Sequence, residues 1–355
     1  MNNRYFTELD LLRGLAALSV FMSHATGIYQ TEKSFLLSIF SDGHAAVILF
    51  FVLSGFVLTY NNLYSKSFNY KNFIIKRIFR IYPVFIVSIL CALCLHEFFY
   101  DKNNLFLTSE WFQNIWSISI NETLIVQTLF LVGPSYDHSA INPVIWTLIV
   151  EMYASFLLPI FVYVLRLKTP YHFVLLLILF IAPVVLNIPQ LHFFLVFYIG
   201  SLYAKYFEIV NAYFINKLKL LFFISFVLYL YKIFSIYDFD NVIYLYNDYV
   251  ITFGSLGLIL FVTNSQSIIK FSSNSFSKFL GKTSYPFYLF HFPILLAMVS
   301  SLNNKFSLLE IIIMSYFLSS ILSYLGHRFV EEIFITIGKS VVQRFNKVSL
   351  KMWGK

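Results

Sequence analysis

Apolar runs recur along almost the whole chain, separated by short polar stretches and never by an extended hydrophilic block. They fall at roughly 9–28, 43–60, 79–99, 143–165, 171–188, 190–206, 217–237, 248–265, 284–302 and 307–327. A run of about 20 apolar residues spans the ~30 Å hydrocarbon layer as an α-helix, and only helices or closed barrels satisfy the backbone there. The pattern therefore predicts an all-α polytopic membrane protein with about ten transmembrane helices. A weaker segment near 115–133 contains Asn121, Glu122 and Gln127.

Charge placement orients these spans. Lys66, Lys71, Lys76, Arg77 and Arg80 lie between the second and third runs, and Arg166 and Lys168 follow the run at 143–165. The positive-inside rule makes both stretches cytoplasmic. The loop at 134–142 lacks Lys and Arg and reads as external. These assignments agree only if 115–133 does not cross, so a re-entrant or surface-lying segment is expected there. Both termini then face the cytoplasm. The organisation expected is one transmembrane domain over 1–335 and a basic cytoplasmic tail over 336–355.

Composition agrees with this reading. The 355 residues are 59% hydrophobic and only 12% charged, with mean hydropathy +0.75; average chains are about 25% charged. The 43 Phe and 25 Tyr suit lipid-facing and interfacial surfaces. The net charge of +8 sits in short loops and the tail, so it does not indicate a nucleic-acid partner. The first apolar run is not a cleavable signal, because Glu8, Asp10 and Arg13 stand at its start. Cys91 and Cys94 lie in an apolar run with no second pair, and they read as small apolar fillers.

Against this background a few intramembrane polar groups stand out. A charge near a bilayer centre costs roughly 2.5–3.5 kcal/mol on insertion scales, so such residues mark functional sites by default. Arg13 and His24 share the first run, eleven helical steps or ~16 Å apart and on one helix face. Glu151 lies ~12 Å into the run at 143–165, at a depth comparable with His24. A buried carboxylate needs a partner, and His24 or Arg13 is its natural one. A histidine held by a carboxylate is the arrangement a general base needs.

Other positions carry two readings each. Ser54 and Gly55, in Phe50–Phe56, permit close approach of either a helix or a ligand chain. Arg77 and Arg80 share a face below the membrane, which suits an anionic phosphate or ordinary positive-inside charge. His291 is either a substrate contact or an interhelical hydrogen bond, and His44 stands at an external mouth. No zinc-type His/Glu/Asp spacing, GxSxG elbow or P-loop occurs, so no metal site is expected.

Taken together, Leu9–His24, Phe50–Phe56, Arg77–Pro83, Trp146–Glu151 and Ser284–His291 resemble the membrane-bound acyltransferase-3 family, in the family's order. The resemblance implies a ten-helix fold that takes an acyl group from cytoplasmic acyl-CoA and delivers it to a hydroxyl, often across the membrane. It implies His24 as catalytic histidine, with Arg13 and Glu151 as its companions. Here Thr147 stands where the family has serine, and Ile149 and Val150 precede the acid. It also associates Arg77 and Arg80 with acyl-CoA; Ser54, Gly55 and Phe51 are expected to join them on the CoA side, and His44, Tyr285 and His291 are expected on the acceptor side. Some members carry a C-terminal SGNH-type domain; this chain ends without one, so direct transfer or a separate partner is expected.

The expected donor is acetyl-CoA, with no permanently bound cofactor. The expected acceptor is a surface glycan or lipid-linked glycan (O-antigen or capsule) at a bacterial inner membrane, among membrane lipids, with homo-oligomerisation left open. Direct transfer and an acyl-His24 intermediate both fit the residues. A transporter or glycan flippase using Arg13, Glu151 and His24 as a proton or substrate pathway is the rival class.

Overall fold

The structure is a computed structural model that describes residues 6–28, 35–63, 68–105, 108–117, 119–132, 140–234 and 241–353. In chain order the helices are α1 (Thr7–Thr26), α2 (Phe35–Phe40), α3 (Gly43–Leu63), α4 (Tyr70–Phe99), α5 (Glu110–Ile115), α6 (Glu122–Leu129), α7 (Ile145–Arg166) and α8 (Thr169–Val185). Then follow α9 (His192–Phe214), α10 (Leu218–Tyr229), α11 (Tyr231–Phe234), α12 (Asn241–Asn264), α13 (Gln266–Ser272), α14 (Ser275–Leu302), α15 (Leu308–Gly326) and α16 (Glu332–Trp353). The described residues contain no strand.

Each of the ten predicted runs falls on helix among the described residues, and the protein is an all-α polytopic membrane protein. Seven stretches among the described residues are long and apolar enough to cross a bilayer. They include a 41-residue stretch, Pro189–Tyr229, and a 40-residue stretch, Leu308–Lys347. Among the described residues, the stretch expected not to cross holds α6 and the last residue of α5. The former has eight residues, or ~12 Å of helix, far short of the hydrocarbon thickness. The expected external loop at 134–142 lies outside the described residues through position 139.

Helix boundaries differ from expectation where capping or charge, not hydropathy, sets them. The third run begins at Tyr70 and not at 79, because Asn69 caps it by accepting from the Asn72 amide. The basic residues Lys71, Lys76 and Arg77 therefore sit on α4 and not in a loop. At 30 residues, or ~45 Å, α4 exceeds the hydrocarbon layer. The seventh run is broken at Leu230, between α10 and α11. The tail is helical as α16, which follows α15 through one π-helical turn at His327–Glu331.

The chain divides into two compact units. The first comprises Met1–Ser23, Glu32–Phe68 and Val150–Lys282. Its centre is the α3–α9 pair, where Gly55 and Gly200 face the opposite backbones. A Cβ on Gly55 would overlap the Phe197 carbonyl oxygen, and one on Gly200 would overlap that of Val52. Lipid removes the hydrophobic force between helices, so this close packing of small residues is what holds them. Phe6, Phe56, Tyr60 and Phe207 close one end, with Phe56 and Phe207 at 5.2 Å between ring centres.

The second unit comprises His24–Thr31, Asn69–Ile149 and Thr283–Lys355. Its α16 lies on the start of α4: Asn72 donates to Asn346 at 3.1 Å, and Lys71 lies 4.4 Å from the Phe345 ring centre. Trp116, Phe112, Phe85 and Phe292 are fully buried. The Trp116 indole donates to the Ile141 carbonyl at 3.3 Å, which ties the segment after α5 to the chain entering α7.

Candidate active site

In the second unit the site forms where α1 ends. Arg13 and His24 lie on one unbroken helix, with His24 in its last turn. Just past the end of α1 two backbone carbonyls are taken by Ser109, whose hydroxyl donates to Gly27 O and whose amide donates to Ile28 O, both at 2.7 Å. Ser109 also caps α5. One residue thus fixes the end of α1 against the helix that carries Trp111.

His24 is half-buried. Its ring centre lies 5.9 Å from that of Trp111 and 4.5 Å from that of Phe292, which meets it edge-on at 80°. Its Nδ1 is 2.9 Å from Nε2 of His291. The two imidazole planes are 7° apart and their centres 5.2 Å apart. A five-membered ring with bonds of about 1.35 Å puts each nitrogen about 1.15 Å from the centre. The separation of centres is then as large as a 2.9 Å contact permits. The rings therefore meet edge to edge in one plane, as an N–H···N hydrogen bond requires, and not face to face.

His291 itself has no exposed surface, and its Nδ1 donates to the Phe287 carbonyl at 3.1 Å. The start of α7 is pinned beside this stretch of α14. Asn142 donates to Leu289 O at 2.9 Å, and Thr147 shares a 2.9 Å hydrogen bond with the Tyr288 hydroxyl. Thr147 thus performs a job that a serine hydroxyl would also perform. Tyr285 donates to the Ile81 carbonyl of α4 at 2.8 Å.

Lower on α4, Arg77 is buried while Arg80 is half-exposed, its Nε 3.9 Å from Glu331. Glu331 is buried in the π-helical turn and accepts from His327 at 2.8 Å. The two arginines expected to act together therefore sit in different environments. π-helical turns are frequent at functional sites because they push side chains out of the regular helical ladder.

In the first unit, Arg13 pairs with Asp10 at 2.7 Å, three residues back on the same helix. Glu151 accepts from the Ser54 hydroxyl at 3.4 Å. Ser54 and Gly55 thus face different neighbours. The space beside Gly55 is filled by the α9 backbone, and Phe51 packs on Phe193 at 5.1 Å. His44 has partners that the sequence did not suggest: its Nε2 lies 2.5 Å from Asp248, whose other oxygen lies 2.7 Å from His192. Asp248 has no exposed surface.

Trp111, Ser109, His192, Asp248 and Glu331 are the residues that sequence reasoning missed. For Ser109 a signal existed, since serine followed by glutamate and an aromatic pair is a helix-start pattern. The Asp248 cluster had only an indirect one. All three of its members stand at the beginnings of runs that the charge pattern starts on the same side. Among the described residues no group of three or more His, Cys, Asp or Glu side chains is arranged to hold a metal ion.

Fold and site together define a polytopic helical membrane protein with a coplanar imidazole pair among aromatic rings. The chain belongs to the acyltransferase-3 family, whose model, described as an acyltransferase domain, matches residues 6–328. It is also similar to an O-acetyl transferase of Shigella phage Sf6, 27% identical over 179 residues. That match covers 49% of this chain and 50% of the relative, so the chain spans about half the length of the curated relative it matches. No solved structure matches the chain.

Proposed function

We propose that this protein is a membrane-embedded O-acyltransferase that moves an acetyl group from cytoplasmic acetyl-CoA to a hydroxyl of a cell-surface glycan. Membership of an acyltransferase family and the likeness to an O-acetyl transferase support the reaction class. The observation that carries the reading is His24. It is a half-buried imidazole in the last turn of α1, walled by Trp111 and Phe292, with one nitrogen held by His291.

In this reading Arg77 and Arg80 bind the CoA phosphates, Arg13 and Ser54 serve the pantetheine arm, and Glu151 assists the base. His24 Nε2 takes the proton of the acceptor hydroxyl as its oxygen attacks the thioester carbonyl. The C–S bond breaks and the ester forms. The imidazolium then returns the proton to the departing thiolate, giving free CoA thiol. Positioning and proton removal are the main demands, since thiolate leaves readily. The acceptor is an O-antigen or capsule sugar, and the protein sits in a bacterial inner membrane with both termini cytoplasmic.

The test is mass spectrometry of surface polysaccharide from cells with the intact chain, without it, and with His24→Ala. Acetylation is expected only with the intact chain. With purified protein, His24→Ala is expected to lower transfer from acetyl-CoA about 10²- to 10⁴-fold. Near-normal transfer by a folded, inserted His24→Ala protein would overturn the assignment.

A further inference from the structure

We propose that His291 is a positioning residue that sets which nitrogen of His24 is basic. The inference rests on the reading of His24 as the base, and follows from counting hydrogen-bond donors and acceptors. The Phe287 carbonyl oxygen can only accept, so its 3.1 Å contact makes His291 Nδ1 a donor. A neutral imidazole has one N–H, so Nε2 of His291 is an acceptor. The donor that meets it at 2.9 Å is the Nδ1–H of His24. The lone pair of His24 is thereby placed on Nε2.

The alternative is an imidazolium at His291 donating through both nitrogens. That ring is wholly buried against Phe287, Tyr288 and Phe292. Burying an ion costs several kcal/mol, more than a single hydrogen bond to a neutral ring returns. The neutral state wins. The chain of contacts then runs from the Phe287 carbonyl through His291 to His24, each step fixing the tautomer of the next.

The coplanar geometry matters because both the N–H and the lone pair lie in the ring planes. It also locks rotation of the His24 ring, so that Nε2 keeps one direction. When His24 takes a proton, its Nδ1–H becomes a charge-assisted donor to His291, and the bond strengthens in the charged form. His291 therefore holds His24 in one tautomer and one orientation. This is the orienting role that the third member of a catalytic triad has, performed by a neutral group.

The substitutions that test this separate hydrogen bonding from packing. In His291→Gln, the amide oxygen can accept from His24 while its N–H₂ donates to the Phe287 carbonyl. This variant is expected to keep kcat within about tenfold of the intact protein. His291→Leu removes the acceptor, and is expected to lower kcat about 10- to 100-fold with the KM for acetyl-CoA within about twofold.

His291→Met, whose flexible thioether refills the same space, is read in the same way if the leucine variant does not fold. Equal impairment of the glutamine and apolar variants would overturn the proposal, as would full activity in the apolar variants. A folded His24→Ala protein that stays active overturns the base reading instead, so the two failures are distinguishable.

Discussion

His192 donates through Nδ1 to the Pro189 carbonyl oxygen at 2.6 Å, while its Nε2 shares a 2.7 Å hydrogen bond with Asp248. Both ring nitrogens of this buried histidine are thus held. The second carboxylate oxygen takes the His44 Nε2–H. One fully buried carboxylate thus ties the first turns of α3 and α9 to α12.

Removing that carboxylate leaves two histidines without their shared partner. Each buried polar group left unsatisfied costs about 1–3 kcal/mol, whereas losing one ordinary hydrogen bond costs about 1 kcal/mol. Asp248→Ala is therefore expected to lower Tm of the detergent-solubilised protein far more than His44→Gln. Thermal unfolding of the two variants side by side checks this, and equal shifts would contradict the shared-carboxylate account.

At Gly55 the sequence left open whether a helix or a ligand chain approaches, and the α9 backbone fills the space. A methyl group cannot be accommodated against the Phe197 carbonyl oxygen without moving a helix. Overpacking of this kind costs typically about 1–3 kcal/mol. Gly55→Ala is expected to lower thermal stability while leaving the KM for acetyl-CoA within about twofold. A normal Tm with a large rise in that KM would place a ligand chain there.

Arg80 and Glu331 make the third prediction. Arg80 is half-exposed and shares its charge with a buried carboxylate 3.9 Å away. Arg80→Ala is expected to raise the KM for acetyl-CoA about tenfold and to weaken its dependence on salt. Glu331→Gln removes a negative charge that competes with phosphate, and is expected to lower that KM about two- to threefold. Steady-state kinetics at two ionic strengths reads both, and unchanged values in Arg80→Ala would remove Arg80 from the donor site.

Much of the molecule is legible in the chain alone. The ten apolar runs are helices because length and hydropathy are local properties that the bilayer reads directly. Arg13, His24 and Glu151 stand out because charge inside lipid needs a reason. Partners are less legible. The expected carboxylate neighbours gave no hint that Asp10 would pair with Arg13 from one turn away, or that Ser54 would donate to Glu151. His291 is ambiguous in sequence, and becomes a defined neighbour of His24 only when both rings are placed.

By itself, then, the sequence determined the membrane class, the helical segments, the family resemblance and the short set of polar residues worth testing. Hydropathy, segment length and side-chain chemistry are carried by each stretch alone. Only the tertiary structure decided which polar groups meet: His24 with His291, Asp248 with His44 and His192, and Gly55 with the backbone of α9. The physical reason is that lipid exerts little hydrophobic force between helices and leaves their rotation and register to close packing and a few directional hydrogen bonds. The bond between His24 and His291 joins residues 267 positions apart, and no local pattern in the chain records it.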